Sequence, residues 1–190
     1  NEFIKDMNNS LLLVFVGLPG SGKDTCLDYL KNKYGCKIFS FTDILKDGLE
    51  AFYLEFNRDN LIKMSECVRE KFGEDTLAQS MADKVKNEGS EISAIGNARR
   101  PADVKYLSKL PGYVLINIDA DRNTRYKRIK TRGEKTEDGT QTFEQFKADH
   151  NRSTELSILE IAKQATEYID NNGTFEGLYQ QLDKIIEKYK

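Results

Sequence analysis

The chain has 190 residues, 29 of them Lys or Arg and 31 Asp or Glu, for a formal net charge of −2. That length suits one domain with a sizeable core, and the slight acidity argues against nucleic acid as the main partner. No apolar run approaches the ~20 residues that span a bilayer, and the polar stretch Asn1 to Ser10 predicts neither a membrane anchor nor a leader.

Leu11 to Val16 is an unbroken apolar run, the pattern of a strand buried on both faces of a parallel sheet. Gly17-Leu18-Pro19-Gly20-Ser21-Gly22-Lys23-Asp24-Thr25 follows, with Gly17 and Gly22 bounding Gly-x-x-x-x-Gly-Lys. Glycines in such a loop let N–H groups turn toward an anion; the next helix adds its positive end and Lys23 a full charge. Strand, loop and helix in this order predict a triphosphate site for ATP or GTP. Leu27, Leu30 and Tyr34 recur at helical spacing, and Gly35 ends that helix.

Cys36 to Phe41 is a second short strand, after which Thr42 or Asp43 caps a helix beginning at Ile44. From Lys46 to Lys86 the pattern is helical, broken near Asn57-Arg58 and at Gly73. The stretch 46–88 is therefore a helical excursion between strands, the expected acceptor-binding region. Glu91 to Ile95 is a third strand, Pro101 opens a helix running to about Leu110, and Tyr113 to Ile118 is a fourth strand. Asp121 to Arg132 is a basic helix, and Gly133 to Thr142 is too hydrophilic to pack, so a lid is expected at about 132–145. A helix from Phe143, interrupted near Asn151 to Thr154, resumes to Ala165. Glu167 to Asp170 is a fifth strand, and Thr174 caps a last helix with Leu178, Leu182, Ile185 and Ile186 inward. Strands alternating with helices predict one α/β domain over 1–190. Its architecture is a three-layer α/β/α sandwich on a five-stranded parallel sheet, with ligands outside the carboxyl ends of the strands.

Phosphoryl transfer needs positive charge around a spread negative charge more than it needs acid or base. Arg125, Arg128 and Arg132 stand at spacings of three and four on one helix face, with Arg122 three residues before. The stripe is either a solvated face, a nucleic-acid contact, or the cationic side of a lid; its place after a strand and before a polar loop favours the lid. Arg152 lies beyond the loop and could close on the same phosphates. Arg99-Arg100 follows the third strand, as a surface pair or as the acceptor-phosphate site, where Arg99 is the candidate. Lys46, Arg58 and Arg69 in the excursion are further acceptor-binding candidates, or solvent-facing charges. Asp43 either caps a helix, orients an acceptor hydroxyl, or holds Mg²⁺ through water. His150 is the only histidine, which leaves little for a histidine triad or zinc site, and it reads as a surface residue. Cys26, Cys36 and Cys67 show no metal spacing and read as free thiols of a reducing, cytoplasmic setting. Asp24 departs from the common pattern, in which a Ser or Thr follows the Lys and its hydroxyl holds Mg²⁺; here Thr25 comes one place later.

The loop with its Lys23-Asp24-Thr25 ending resembles that of adenylate kinases, and its Lys-Asp pair is similar to that of phage deoxynucleoside monophosphate kinases. Ser40-Phe41-Thr42-Asp43-Ile44-Leu45-Lys46 is similar to the Ser-Thr-Gly-Asp-x-Leu-Arg of adenylate kinases, with Lys46 in place of the Arg. The fullest resemblance is to an archaeal family of P-loop kinase-like proteins of unassigned activity, related to adenylate kinases and dephospho-CoA kinases. Arg58-Asp59-Asn60-Leu61 through Phe72-Gly73-Glu74-Asp75 carries it, with Ala98-Arg99-Arg100-Pro101-Ala102-Asp103. So do Arg125-x-x-Arg128-x-x-x-Arg132-Gly133 with Phe143-Glu144-Gln145-Phe146, and Ala165 to Thr174, which looks like the family's adenine-side strand and loop.

The resemblance implies an ATP- and Mg²⁺-dependent kinase acting on a nucleotide-like small molecule, foremost a (deoxy)nucleoside monophosphate. A dephospho-CoA kinase-like enzyme, with Asp43 as base, and a regulatory nucleotide-binding protein or ATPase are the alternatives. It implies that Gly17, Gly20, Ser21, Gly22, Lys23, Asp24, Thr25, Arg128 and Asn172 hold the nucleotide, with Asp24 and Thr25 toward the metal. Those relatives end the third strand in Asp-Gly, the Asp helping to hold the Mg²⁺ shell, whereas this chain has Gly96-Asn97.

Overall fold

The computed structural model describes residues 10–132, 142–149 and 153–190. Residues 1–9, most of the expected lid (133–141), and 150–152 with His150 and Arg152 lie outside the described residues.

A single sheet of five parallel strands has the order β2-β3-β1-β4-β5, with β1 Leu11–Val16, β2 Lys37–Phe39, β3 Ile92–Ile95, β4 Tyr113–Asp119 and β5 Glu167–Asp170. β1 is central because all six of its residues are buried, which only a strand covered on both faces allows. Its register fixes the layers. Leu13 and Phe15 enter one core with Cys26 and Leu30 of α1 (Lys23–Tyr34) and Leu178, Leu182 and Ile185 of α9 (Phe175–Tyr189). Leu12, Val14 and Val16 point the other way. There they meet Leu77, Met81 and Val85 of α4 (Thr76–Glu88), Val104 of α5 (Pro101–Lys105) and Ile161 of α8 (Ser153–Ala162). The result is the α/β/α sandwich read from the alternation of strands and helices.

Two helices, α2 (Phe41–Ala51) and α3 (Arg58–Phe72), precede α4 between β2 and β3 and form the expected helical excursion. α6 (Arg122–Arg132) follows β4, and α7 is Phe143–Asp149. Some element boundaries differ from the sequence reading. β2 stops at Phe39 and α2 starts at Phe41, because Ser40 is the cap: its Oγ accepts the Thr42 N–H at 3.1 Å. The Asp43 carboxylate returns to the Ser40 N–H at 3.1 Å and completes a capping box, so Ser40 caps in place of Thr42 or Asp43. The helix opened by Pro101 ends at Lys105 and gives way to a 3-10 turn at Leu107–Lys109, short of a continuous helix to Leu110.

Candidate functional site

The loop after β1 is shaped by what holds its carbonyls. Lys23 Nζ donates to Gly17 O at 2.7 Å and Leu18 O at 3.4 Å. Arg125 Nη1 donates to Pro19 O at 3.4 Å, Arg128 Nη1 to Gly20 O at 3.5 Å, and Asn171 Nδ2 to Ser21 O at 2.7 Å. Every carbonyl from residue 17 to residue 21 thus accepts from a side chain, those of 17 and 18 from Lys23 of the loop itself and those of 19 to 21 from residues distant in sequence. A trans peptide points its C=O and the following N–H in opposite directions. Held carbonyls at Pro19 and Ser21 therefore aim the N–H groups of Gly20 and Gly22 away from Arg125 and Asn171, while the Ser21 N–H is taken by Leu18 O.

Glycine is sterically required in this loop. Gly20 has φ +78°, and a Cβ there would sit 2.7 Å from Arg125 O. Gly22 has φ +104° and would place a Cβ 2.2 Å from Asn171 Nδ2. Gly22 is also the N-cap of α1, with no side chain capping it, which leaves the positive end of α1 facing the loop. Ser21 is wholly buried; its N–H donates to Leu18 O at 3.1 Å, and its Oγ has no partner. A glycine cradle, a helix N-terminus and Lys23 on the loop make a site that fits a polyphosphate.

Asp24 is exposed in the first turn of α1, one residue before half-buried Thr25. Thr25 borders a cleft of about 640 Å³ between α1 and α9, lined also by Asp28, Asn32, Lys33 and the rings of Tyr29, Phe175 and Tyr179. Another cleft, about 520 Å³ beside Leu11 and Ser93, opens at the amino ends of the strands and has no part in the loop.

The arginines divide into two kinds. Arg125 is buried, with Nε on Ala120 O at 3.0 Å and its guanidinium 5.5 Å from the centre of the Phe146 ring. Burial pulls its pKa below the ordinary arginine value, and the Asp119 carboxylate opposes the shift. It fastens α6 and α7 to the loop. Arg128 is half-buried, and its Nη2 donates to Asn171 O at 2.8 Å. Arg132 ends α6, and Arg122 is exposed at its start.

Arg69 was a candidate for acceptor phosphate, yet the structure turns it inward. Its Nη2 meets Asp103 Oδ1 at 3.0 Å with both side chains below 9% exposed, and its Nη1 donates to Glu74 O at 3.0 Å. Asp103 Oδ2 accepts the N–H groups of Arg99 and Arg100, each at 3.0 Å, so one carboxylate joins α3 to the end of β3. The Arg99 side chain is exposed, and Arg100 pairs with Glu74 at 3.0 Å. Lys46 is exposed, 3.6 Å from Glu50 and 5.5 Å from the centre of the Phe56 ring, and Arg58 is exposed as the first residue of α3. Asp43 is exposed and engaged in its capping box.

Three residues escaped the sequence reading. Asn171 is buried against the loop, whereas Asn172 stays exposed, accepting from Asp121 N at 2.7 Å. No signal in the sequence separates the two: it is the pairing of Asp119 with Asp170 that sets the residue after Asp170 beside the loop. Asn97 donates to Ser40 Oγ at 2.8 Å and accepts from Phe41 N at 3.3 Å, tying β3 to the start of α2. Leu27 packs against Gly96: a Cβ at position 96 would lie 2.4 Å from Leu27 Cδ1. An apolar side chain therefore fills the space a third-strand carboxylate would need. Among the described residues no group of three or more His, Cys, Asp or Glu could hold a metal ion.

Residues 16–147 match the family described as AAA domain. The UPF0200 protein of Methanocaldococcus jannaschii is 30% identical over 189 residues, covering 95% of this chain and 94% of that protein. That of Thermococcus kodakarensis is 24% identical over 183 residues, with 94% and 97% covered. A UPF0200/UPF0201 protein of Archaeoglobus fulgidus is 26% identical over 181 residues, which cover 93% of this chain and 55% of that longer protein. Among solved structures, TT1252 from Thermus thermophilus has a TM-score of 0.65 at 15% identity, covering 96% of this chain and 99% of that one. Shikimate kinase from Bacteroides thetaiotaomicron has a TM-score of 0.64 at 10% identity, covering 94% and 97%. Likeness at such identities speaks for fold alone. The chain belongs to the UPF0200 family and has the P-loop, kinase-like nucleotide-binding fold.

Proposed function

We propose that the protein is an ATP-dependent phosphotransferase acting on a small nucleotide-like acceptor, foremost a (deoxy)nucleoside monophosphate. The observation that carries the reading is the loop whose carbonyls at residues 17–21 are all held by side chains, three of them distant in sequence, beside the uncapped N-terminus of α1. Such a cradle suits the β- and γ-phosphates, with Lys23 moving from its carbonyl contacts to the anion. Arg128 and Arg132 supply cationic charge at the lid side, Arg125 holds α6 against the loop, and Asn172 stands on the base side. Arg99, Lys46 and Arg58, all exposed, are the acceptor-phosphate residues; Arg69 ties α3 to Asp103.

Mg²⁺ takes one or two carboxylates together with substrate phosphate oxygens and water, and Asp24 and Thr25 in the first turn of α1 fit that donor set. When bound it would neutralise phosphate charge. In the transfer itself an acceptor phosphate oxygen forms a bond to the γ-phosphorus as the bond to the β-phosphate oxygen breaks, leaving ADP and no proton to be removed from a hydroxyl. A coupled ADP-release assay over nucleoside monophosphates and dephospho-CoA tests the proposal. Turnover with one of them is the expected result, and tight ATP binding without turnover of any would overturn it. Turnover of dephospho-CoA alone, abolished in Asp43→Asn, would instead identify Asp43 as the base for a ribose hydroxyl.

A second reading, a regulatory nucleotide-binding protein or slow ATPase, draws on Leu27 occupying the space beside Gly96. Acceptor-independent hydrolysis together with a stable protein partner is the result that would favour it.

A further inference from the structure

Asn171 serves no step described above, yet it is among the few buried polar residues and lies at the loop. Its N–H donates to Asp119 O at 2.8 Å, which fixes it to the end of β4. Its carbonyl accepts from Arg128 at 2.8 Å, and its side-chain amide donates to Ser21 O at 2.7 Å. The 2.2 Å separation between a hypothetical Gly22 Cβ and Asn171 Nδ2 shows how closely the amide lies against the next residue.

We propose that Asn171 is a positioning residue for the phosphate cradle, setting the direction of the Gly22 N–H through the Ser21 carbonyl. Ser21 C=O and Gly22 N–H are opposite ends of one planar trans peptide. Pulling the carbonyl toward Asn171 turns the N–H away from it, to the side where a phosphate oxygen would be bound. Arg125 acts likewise on the Pro19 carbonyl and so on the Gly20 N–H, at 3.4 Å, whereas Arg128 reaches Gly20 O at 3.5 Å, where the following N–H is already taken by Leu18 O. Asn171 makes the shortest of these three contacts and the only neutral one. It can therefore steer the peptide without adding charge that would bind the phosphate itself. Because its backbone also receives Arg128, one residue couples the base-side loop, the cradle and the lid helix.

The inference rests on the polyphosphate reading of the loop. The probes are ADP and inorganic tripolyphosphate with Mg²⁺, titrated calorimetrically into the whole protein and its variants well below their melting temperatures. Asn171→Asp keeps the size of the side chain but opposes the Ser21 carbonyl with an ionised acceptor. It is expected to weaken both ligands by about tenfold or more, the scale of a buried hydrogen bond turned into a mismatch. Asn171→Ala, which lacks the repulsion, should weaken both by a smaller factor and keeps the test open where Asn171→Asp fails to fold. The direct readout is the Gly22 amide resonance in a ¹⁵N-labelled sample. It should move downfield on adding tripolyphosphate to the parent protein and move much less in the variants. A folded variant with unchanged affinities and an unchanged Gly22 shift overturns the positioning role, even if its melting temperature falls. A parent protein that binds neither ligand overturns the polyphosphate reading and this inference with it.

Discussion

Arg69→Met is the substitution that separates a ligand from a support. Arg69 is 8% exposed, and its partner Asp103 is 3% exposed, at 3.0 Å. Removing one member of a buried pair costs ~3–5 kcal/mol, because the other charge stays buried without its counterion. Two features place this variant at the low end. The Asp103 carboxylate keeps the N–H groups of Arg99 and Arg100, and the Nε of Arg69 already lacks a partner, so its loss removes an unsatisfied donor. We expect about 3 kcal/mol, a melting-temperature drop of ~6–12 °C for a chain of this size. Asp103→Ala should cost more, ~4–5 kcal/mol, since it strands Arg69 and also uncaps α5. Scanning calorimetry and urea titration of both variants measure the order. An Arg69→Met protein within ~1 kcal/mol of the parent in stability, with acceptor KM raised many-fold, would refute the supporting role and return Arg69 to the acceptor site.

Asp24→Ala should raise the Mg²⁺ concentration needed for half-maximal ATP binding about tenfold or more, because Leu27 blocks a substitute carboxylate at position 96; unchanged Mg²⁺ dependence would sink that proposal. Burial pushes the thiols of Cys26 and Cys36 up from 9.0 to about 12, while Cys67 is exposed. Iodoacetamide at neutral pH should therefore label Cys67 in the folded protein, read by peptide mass mapping, with Cys26 and Cys36 reacting after unfolding. The sign for stability follows from the same shifts. The folded thiols hold their protons longer than unfolded ones, so the contribution is complete below about pH 9 and is lost as pH rises toward about 12. A Cys26→Ala, Cys36→Ala double variant should show a shallower alkaline fall of stability.

Sequence alone determined what local chemistry specifies. β1 declares itself by six apolar residues in a row, the loop by its glycine spacing and Lys23, and α9 by the Thr174 cap and the inward positions Leu178, Leu182 and Ile185. Each is a matter of residues within one or two turns of one another, and the order of strands and helices then restricts the sheet to few topologies. What tertiary structure alone decided is where long polar side chains end. Arg69 was indistinguishable in the sequence from a solvent-facing or phosphate-binding arginine until folding set it beside Asp103, 34 residues away. Asn171 and Asn172 are chemically identical neighbours, and strand pairing turns the first toward Ser21, 150 residues distant, while the second stays outside. A charged or amide group gains most where burial removes water and a partner replaces it, and neither condition is written in the residues beside it.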